Sequence, residues 1–158
     1  MNWQSWLLSG FLATLALSTW LSGSQGLGFT RLNIPFLLGT FVTSDRQKAK
    51  LYGFAVHLVN GWFFSILYVL IFQDRHLATW WFGMLLGIAH AALVLTVGMS
   101  LLPTVHPRMA SEQQGPTTTR KLEPPGFLAL NYGFRTPVSV TLAHAAFGAI
   151  LGSLYVLR

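Results

Sequence analysis

The sequence predicts an all-α integral membrane protein, a four-helix bundle built from two related helical hairpins. Hydrophobic residues make up 53% of the 158 positions and charged residues only 9%, a composition far more apolar than that of a soluble domain. Four apolar stretches have the roughly 20 residues that a hydrocarbon core requires, namely 3–22, 51–72, 79–102 and 137–157. Because these spans occupy most of the chain, residues 1–158 are predicted to form a single membrane domain.

A repeated pattern in the second and fourth spans indicates the hairpins. Segments 57–70 and 144–157 align without a gap as H-x3-G-x3-[SG]-x-L-Y-V-L, and a shorter echo, L-N-x-[PG]-F, begins at Leu32 and at Leu130. Each hairpin holds two spans, so the two halves have the same orientation. This predicts a parallel repeat about an axis along the membrane normal.

The elements follow in order along the chain. The first span lacks a basic leading segment and a small-residue cleavage site, so we expect it to be retained rather than removed as a signal peptide. The apolar run 34–42 is too short to cross and should lie at the interface or dip into the membrane. Asp45 is a suitable N-cap for the second long helix, and Thr136-Pro137 is a suitable start for the fourth. The short turn 73–76 predicts a tight hairpin in which spans two and three are antiparallel neighbours.

The basic residues predict the topology. Eight of the ten lie in the loops 31–50 and 103–136, and only Arg75 and Arg158 fall on the other side. By the positive-inside rule, both loops are cytoplasmic and both termini face outward. Although the net charge is +6, the basic residues do not cluster with aromatic residues on one face, so no nucleic-acid partner is predicted.

Small residues and a histidine recur at every fourth position in the two repeated spans. With His57 and His144 at the histidine positions, the small residues of this stripe are Gly53, Gly61 and Ser65 in one span and Gly148 and Gly152 in the other. Such stripes let helices approach closely in lipid, so these residues are predicted helix-packing positions. Gly10, Gly83 and Gly87 are candidates for the opposing surfaces.

Three histidines, His57, His90 and His144, lie well inside the predicted spans and are candidate functional residues. One interpretation is neutral imidazoles bonded to Asn60, Thr96 or a backbone carbonyl. A second is cofactor binding, through axial ligation of haem or of the magnesium of a chlorophyll-type pigment. A third is a proton or metal path. Residue counting places His57 and His144 roughly 9–12 Å from their cytoplasmic helix ends and His90 about 18 Å from its own, so His90 is expected to lie deeper.

Two further groups have structural interpretations. Tyr68 and Tyr155, like most of the tryptophans, fall near span ends, which is typical of an aromatic belt at the membrane surface. His106-Pro107-Arg108 follows the third span and is expected to face the lipid headgroups.

The chain holds no recognisable catalytic set. It lacks cysteine, a nucleotide-binding loop, an HExxH zinc pattern and a transmembrane carboxylate. We therefore expect no enzymatic activity and no resident metal site. The predicted function is that of an accessory or assembly subunit of a larger respiratory or photosynthetic-type membrane complex, with the bilayer and other membrane subunits as partners. A haem- or chlorophyll-binding protein and a small channel or transporter are the alternatives.

The last span and its lead-in resemble a family of uncharacterised small bacterial membrane proteins with four spans. The shared signature is N-x-G…T-P…H-x3-G-x3-G-x2-Y, carried here by Asn131, Gly133, Thr136-Pro137, His144, Gly148, Gly152 and Tyr155. The resemblance implies the four-span topology and a place in a bacterial inner (plasma) membrane, and it brings no activity with it.

Overall fold

A computed structural model describes residues 1–111 and 114–158 of the chain. Its helices are α1 (Trp3–Gly26), α2 (Ile34–Val42), α3 (Arg46–Asp74), α4 (Trp80–Leu93), α5 (Met99–Val105) and α6 (Thr136–Leu154). A π-helical turn, Val94–Gly98, joins α4 to α5 into one continuous rod, and a short 3-10 segment, Phe127–Tyr132, precedes α6. Within the described residues, α1, α3, the rod Trp80–Val105 and α6 are long and apolar enough to cross a membrane. The predicted all-α, four-helix fold is confirmed.

Side-chain caps determine where three helices begin. The Asn2 and Asn33 side chains accept hydrogen bonds from the third residue beyond each of them, and the Asp45 carboxylate accepts one from the Lys48 N–H at 2.8 Å. These bonds satisfy backbone donors that a helix start leaves unpaired. The predicted start of the second long helix at Asp45 is confirmed. α1 continues to Gly26, beyond its predicted end, and α6 stops at Leu154, three residues before its predicted end.

α1 and α6 pack together at the centre of the bundle. α3 packs on α1, α4 packs on α6, and α2 folds back along the first half of α3. α3 and α4 are neighbours, as predicted from the short turn, and touch through side chains, but their backbones do not approach closely. Aromatic side chains separate these two helices, with Phe64 4.8 Å from His90 and Phe72 6.0 Å from Phe82 between ring centroids. The small-residue faces of α3 and α4 are already used against α1 and α6, so their bulkier faces meet.

In the first hairpin, small residues bring α1 and α3 together in a regular register. Gly10 lies against Ser65, and a Cβ built on Gly61 would overlap the Thr14 side chain. One turn further, the Ser18 hydroxyl lies 3.0 Å from the His57 ring. Successive contacts are four residues apart on both helices, with numbers rising along α1 and falling along α3, as expected of antiparallel helices.

The second hairpin repeats this register. Gly83 and Gly148 lie so close that a Cβ on either would overlap the carbonyl of the other, while Gly87 faces the His144 carbonyl and Gly152 faces that of Thr79. The steps of four are the same as in the first hairpin, and the aligned residues of α3 and α6 occupy equivalent places. This shared register supports the predicted duplication, although α1 and α4 have little sequence in common.

Gly53, the remaining stripe position, has a different neighbour. It packs against the Pro35 carbonyl of α2, and Gly39 of α2 in turn packs against the backbone of Ala49. The stripe on α3 therefore serves two partners, α1 through its later residues and α2 through Gly53.

The two L-N-x-[PG]-F echoes differ in local structure but meet in space. Asn33 caps α2, whereas the Asn131 side chain donates to the Pro124 carbonyl at 3.0 Å. The Arg31 N–H donates to the Tyr132 carbonyl at 2.8 Å. This bond ties the loop before α2 to the loop before α6.

From its position after the third span, His106 was predicted to face the lipid headgroups. The structure instead buries it. It is 3% exposed, and its Nε2 lies 3.1 Å from both the Leu37 carbonyl and the Thr40 hydroxyl at the end of α2. Its Nδ1 accepts the Arg108 N–H at 3.1 Å, and the Arg108 guanidinium donates to the Thr40 carbonyl. Burial, with a smaller contribution from the Arg108 charge, lowers the pKa of His106 despite the favourable Leu37 carbonyl. A neutral imidazole therefore holds α2 in place.

The repeated tyrosines are core residues rather than belt residues. Tyr68 and Tyr155 are only 5% and 4% exposed. The Tyr155 hydroxyl accepts hydrogen bonds from the Asn2 N–H at 3.0 Å and the Gln73 amide at 2.8 Å, which ties together chain segments at one end of the bundle. Trp3 and Trp80, by contrast, are exposed near span ends, as expected of an aromatic belt.

Replacing Gly148 with Ala should destabilise the protein, because the new methyl group would overlap the Gly83 carbonyl. Forcing apart a packed contact costs about 1–3 kcal/mol. The matched control is Gly23→Ala, since Gly23 lies within α1 and has no atom within 4 Å of the added Cβ; higher helix propensity should leave that variant equal to or slightly above the wild type. Thermal unfolding in detergent measures both, and equal melting temperatures for the two variants would contradict the register.

Candidate functional site: a histidine-lined cavity

A cavity of about 210 Å³ lies where α3 and α4 fail to pack. Its polar lining comes mainly from His57 and Asn60 of α3, His90 of α4 and His144 of α6. The other walls are mostly apolar and include residues of α1, α2 and the rod that follows His90, among them Leu17, Leu21, Ile34, Leu37, Leu38, Phe64, Met99, Val140 and Phe147.

The helix registers bring the three histidines to this cavity. Gly87 lies against the His144 carbonyl, which places His90, one turn later on α4, beside the His144 ring at a centroid distance of 4.9 Å. The expectation that His90 lies in a deeper, separate layer is wrong. Counting residues from span ends ignores the offset between neighbouring helices, whereas the glycine contacts determine it.

His57 is the end of a short hydrogen-bond chain. The Ser18 hydroxyl donates to the Thr14 carbonyl at 2.8 Å and lies 3.0 Å from His57 Nδ1. A hydroxyl has one proton to donate, and Ser18 donates it to the Thr14 carbonyl. Ser18 Oγ therefore accepts a hydrogen bond from His57 Nδ1–H. In the neutral ring, Nε2 then carries the lone pair.

His144 reaches the same state by another route. Its counterpart to Ser18 on the neighbouring helix is Gly87, which offers no hydroxyl. Instead, His144 Nδ1 lies 2.9 Å from the Val140 carbonyl of its own helix. A carbonyl only accepts, so Nδ1 carries the proton and Nε2 again carries the lone pair.

His90 has a different partner and the opposite tautomer. The Tyr68 hydroxyl lies 3.0 Å from His90 Nδ1 and 3.5 Å from the Leu86 carbonyl. The shorter contact assigns the hydroxyl proton to Nδ1, which leaves Nε2–H as a donor.

The ring nitrogens not used in these bonds are accessible and belong to residues that line the cavity. Nε2 of His57, of His90 and of His144 forms no hydrogen bond within residues 1–111 and 114–158, and none of the three is among the enclosed polar atoms that lack a partner. Asn60 and Thr96, suggested from the sequence as partners, do not bond to the histidines; Thr96 donates to the Ala92 carbonyl. The cavity thus presents two lone pairs and one donor.

The π-helical turn is a second unusual feature of the cavity wall. Val94 and Gly98, the first and last residues of that turn, both line the cavity. Single π-helical turns within α-helices occur frequently at functional sites. Nothing in the sequence around Thr96 predicted this turn.

The size and donor set limit what the cavity holds. No group of three or more His, Asp or Glu side chains in the described part of the chain is placed to hold a metal ion. At about 210 Å³ the cavity is smaller than the roughly 300–1,000 Å³ of pockets for drug-sized ligands. Binding of haem or of a chlorophyll-type pigment stays a prediction. A small molecule with a few hydrogen-bonding groups fits.

Sequence reasoning identified the three histidines and allowed a backbone carbonyl as a partner, which His144 has in Val140, but it missed the partners of His57 and His90. Ser18 and Tyr68 determine two of the tautomers, and α2 supplies part of the wall. The position of Ser18, opposite His57 in a four-residue register, was available from the stripe once Thr14 and Ser18 were counted as small residues alongside Gly10.

Comparison of the chain with family models, with curated proteins and with solved structures finds no match. The resemblance of the last span to a family of four-span bacterial proteins therefore stays a prediction.

Ring nitrogen NMR of histidine-labelled protein should find His57 and His144 protonated at Nδ1 and His90 at Nε2. Ser18→Ala should shift His57 toward a mixture of tautomers and cost about 1 kcal/mol, because Nδ1–H loses its acceptor. Ser22→Ala, an exposed position on the same helix, should change neither quantity. An Nε2-protonated His57 in the wild type would contradict the proposed hydrogen-bond chain.

Proposed function

We propose that this membrane protein is a non-catalytic binding protein that takes a small, mainly apolar molecule carrying a hydroxyl group into the histidine-lined cavity. The observation that carries the proposal concerns two repeat-related histidines, His57 and His144. In both, Nδ1 lies within hydrogen-bond distance of a protein oxygen that accepts its N–H. Their Nε2 lone pairs remain available to accept a hydrogen bond from a ligand.

The chemistry of the walls supports this class of ligand. Most of the lining is aliphatic or aromatic, and three imidazoles with Asn60 supply the polar contacts. Few, well-placed polar groups in an apolar site are typical of pockets that orient a small ligand. A phenol or quinol ring with its hydroxyl toward His57 or His144 satisfies a lone pair that lipid cannot satisfy.

His90 would serve a bound ligand as a hydrogen-bond donor, whereas the other two histidines would serve it as acceptors. Its Nε2–H suits a carbonyl or a second hydroxyl oxygen, and its ring packs between Phe64 and His144. A ligand with two oxygen groups would engage donor and acceptor together, which favours a quinol-type headgroup over a simple hydrocarbon.

The predictions of a partner complex, of the bacterial inner membrane and of outward-facing termini stay predictions. The exposed apolar residues along α1, α3 and α4, such as Leu8, Phe63 and Leu93, are those expected of a lipid-facing surface and do not distinguish a subunit from a protein that works alone.

Binding of p-cresol and of p-xylene tests the proposal, because the two molecules have nearly the same shape and differ in one hydroxyl. In detergent, p-cresol should raise the melting temperature of the wild type more than p-xylene does, through preferential binding to the folded state. The double variant His57→Leu with His144→Leu removes both acceptors; it should weaken p-cresol binding about fivefold, the loss of one hydrogen bond, and leave p-xylene binding unchanged.

The control for general effects of histidine replacement is His76→Asn. His76 lies in the turn between α3 and α4 with φ of 49°, a conformation that Asn tolerates, and it is outside the cavity. This variant should retain the preference for p-cresol. Equal binding of the two molecules by the wild type, or an unchanged preference in the double leucine variant, would overturn the proposal.

A further inference from the structure

We infer that the protein holds one anionic diacyl phospholipid at a specific site, between α1 and α6 at the end of the bundle where α6 begins. Two adjoining concavities form the site. The first, the α1–α6 groove, has a volume of about 460 Å³, and the second, the polar pocket, one of about 250 Å³. Phe29 and Arg135 line both, so the two lie side by side.

The α1–α6 groove has the character of an acyl-chain site. Its walls include Trp20 and Leu27 from α1 and its exit, and Val138 and Leu142 from α6. Trp20, Leu27 and Phe29 are all well exposed, so the groove opens on the outer surface of the bundle, where lipid surrounds it.

The polar pocket has the character of a headgroup site. Residues 28–31 and 132–135 line it, with the side chains of Arg31 and Arg135 as its charges. Arg31 forms an ion pair with Glu123 at 3.1 Å, whereas no carboxylate in the described part of the chain pairs with Arg135. Two arginines and one carboxylate leave one net positive charge, which matches a lipid with one net negative charge.

Arg135 is also held in place by aromatic rings. Its guanidinium lies 5.7 Å from the centre of the Phe29 ring and 5.2 Å from that of Phe134. Two ring contacts limit the side-chain freedom that phosphate binding would otherwise remove.

The order of residues along α6 matches the order of groups in a phospholipid. Arg135, Ser139 and Leu142 lie on one face, at spacings of four and three residues, which descend from the charged end into the groove. Ser139, which is 7% exposed, also lines the groove, while its hydroxyl is enclosed by protein. The charge and the aliphatic side chain thus follow one another as phosphate and acyl chain do.

Native mass spectrometry of the delipidated protein in detergent tests this inference, with an equimolar mixture of phosphatidylglycerol and phosphatidylcholine of identical chains. The first lipid bound by the wild type should be predominantly phosphatidylglycerol. Arg135→Gln should reduce that preference about tenfold, since it removes a charge-assisted phosphate contact. Lys50→Gln, which removes one exposed positive charge at the same end of the bundle, should retain it.

A variant that fills the groove distinguishes binding of a whole lipid from binding of its headgroup alone. Leu142→Trp should reduce binding of both lipids at this site and leave weak binding of glycerol phosphate unchanged. Three results would overturn the inference: equal binding of the two lipids by the wild type, an equal loss of preference in Arg135→Gln and Lys50→Gln, or lipid binding that Leu142→Trp does not alter.

Discussion

The close approach of helix backbones at small residues is the constraint on which the rest of this structure depends. In a membrane, an apolar side chain gains little free energy by exchanging lipid for a neighbouring helix. Packing contacts and hydrogen bonds must therefore hold the bundle together. Gly83, Gly87 and Gly148 let the backbones of α4 and α6 come into contact. The missing side chain of Gly61 leaves space on α3 for the Thr14 side chain of α1. These contacts determine not only which helices are neighbours but also how far each is shifted along the other.

The cavity follows from the same constraint. α3 and α4 use their small faces on α1 and α6, so the faces they turn to each other carry Phe64, Tyr68 and His90 and do not close the gap. The register then places the histidines around that gap. A polar ring facing lipid would lose hydrogen bonds worth several kcal/mol, and each histidine avoids that loss through Ser18, Tyr68 or the Val140 carbonyl.

Much of the fold could be predicted from the sequence because membrane helices are long, apolar and marked by charge and caps. Asp45 indicated the start of α3, and the stripe of Gly61, Gly148 and Gly152 indicated the packing faces. The relations between distant residues could not be predicted in this way. His106 reaches α2 across 66 residues, and the offset that brings His90 beside His144 depends on contacts between helices, which a count from each helix end does not contain.

Proximity of the His90 and His144 rings tests the central claim most directly, because it depends on the α4–α6 register and on the open space between α3 and α4. Solid-state NMR of the histidine-labelled protein in lipid bilayers measures it through ring-to-ring carbon correlations, assigned by replacing one histidine at a time. We predict a cross-peak between these two rings, as their centroids lie 4.9 Å apart, and its loss on replacing either residue. A folded protein without this cross-peak would contradict the register and, with it, the shared histidine cavity.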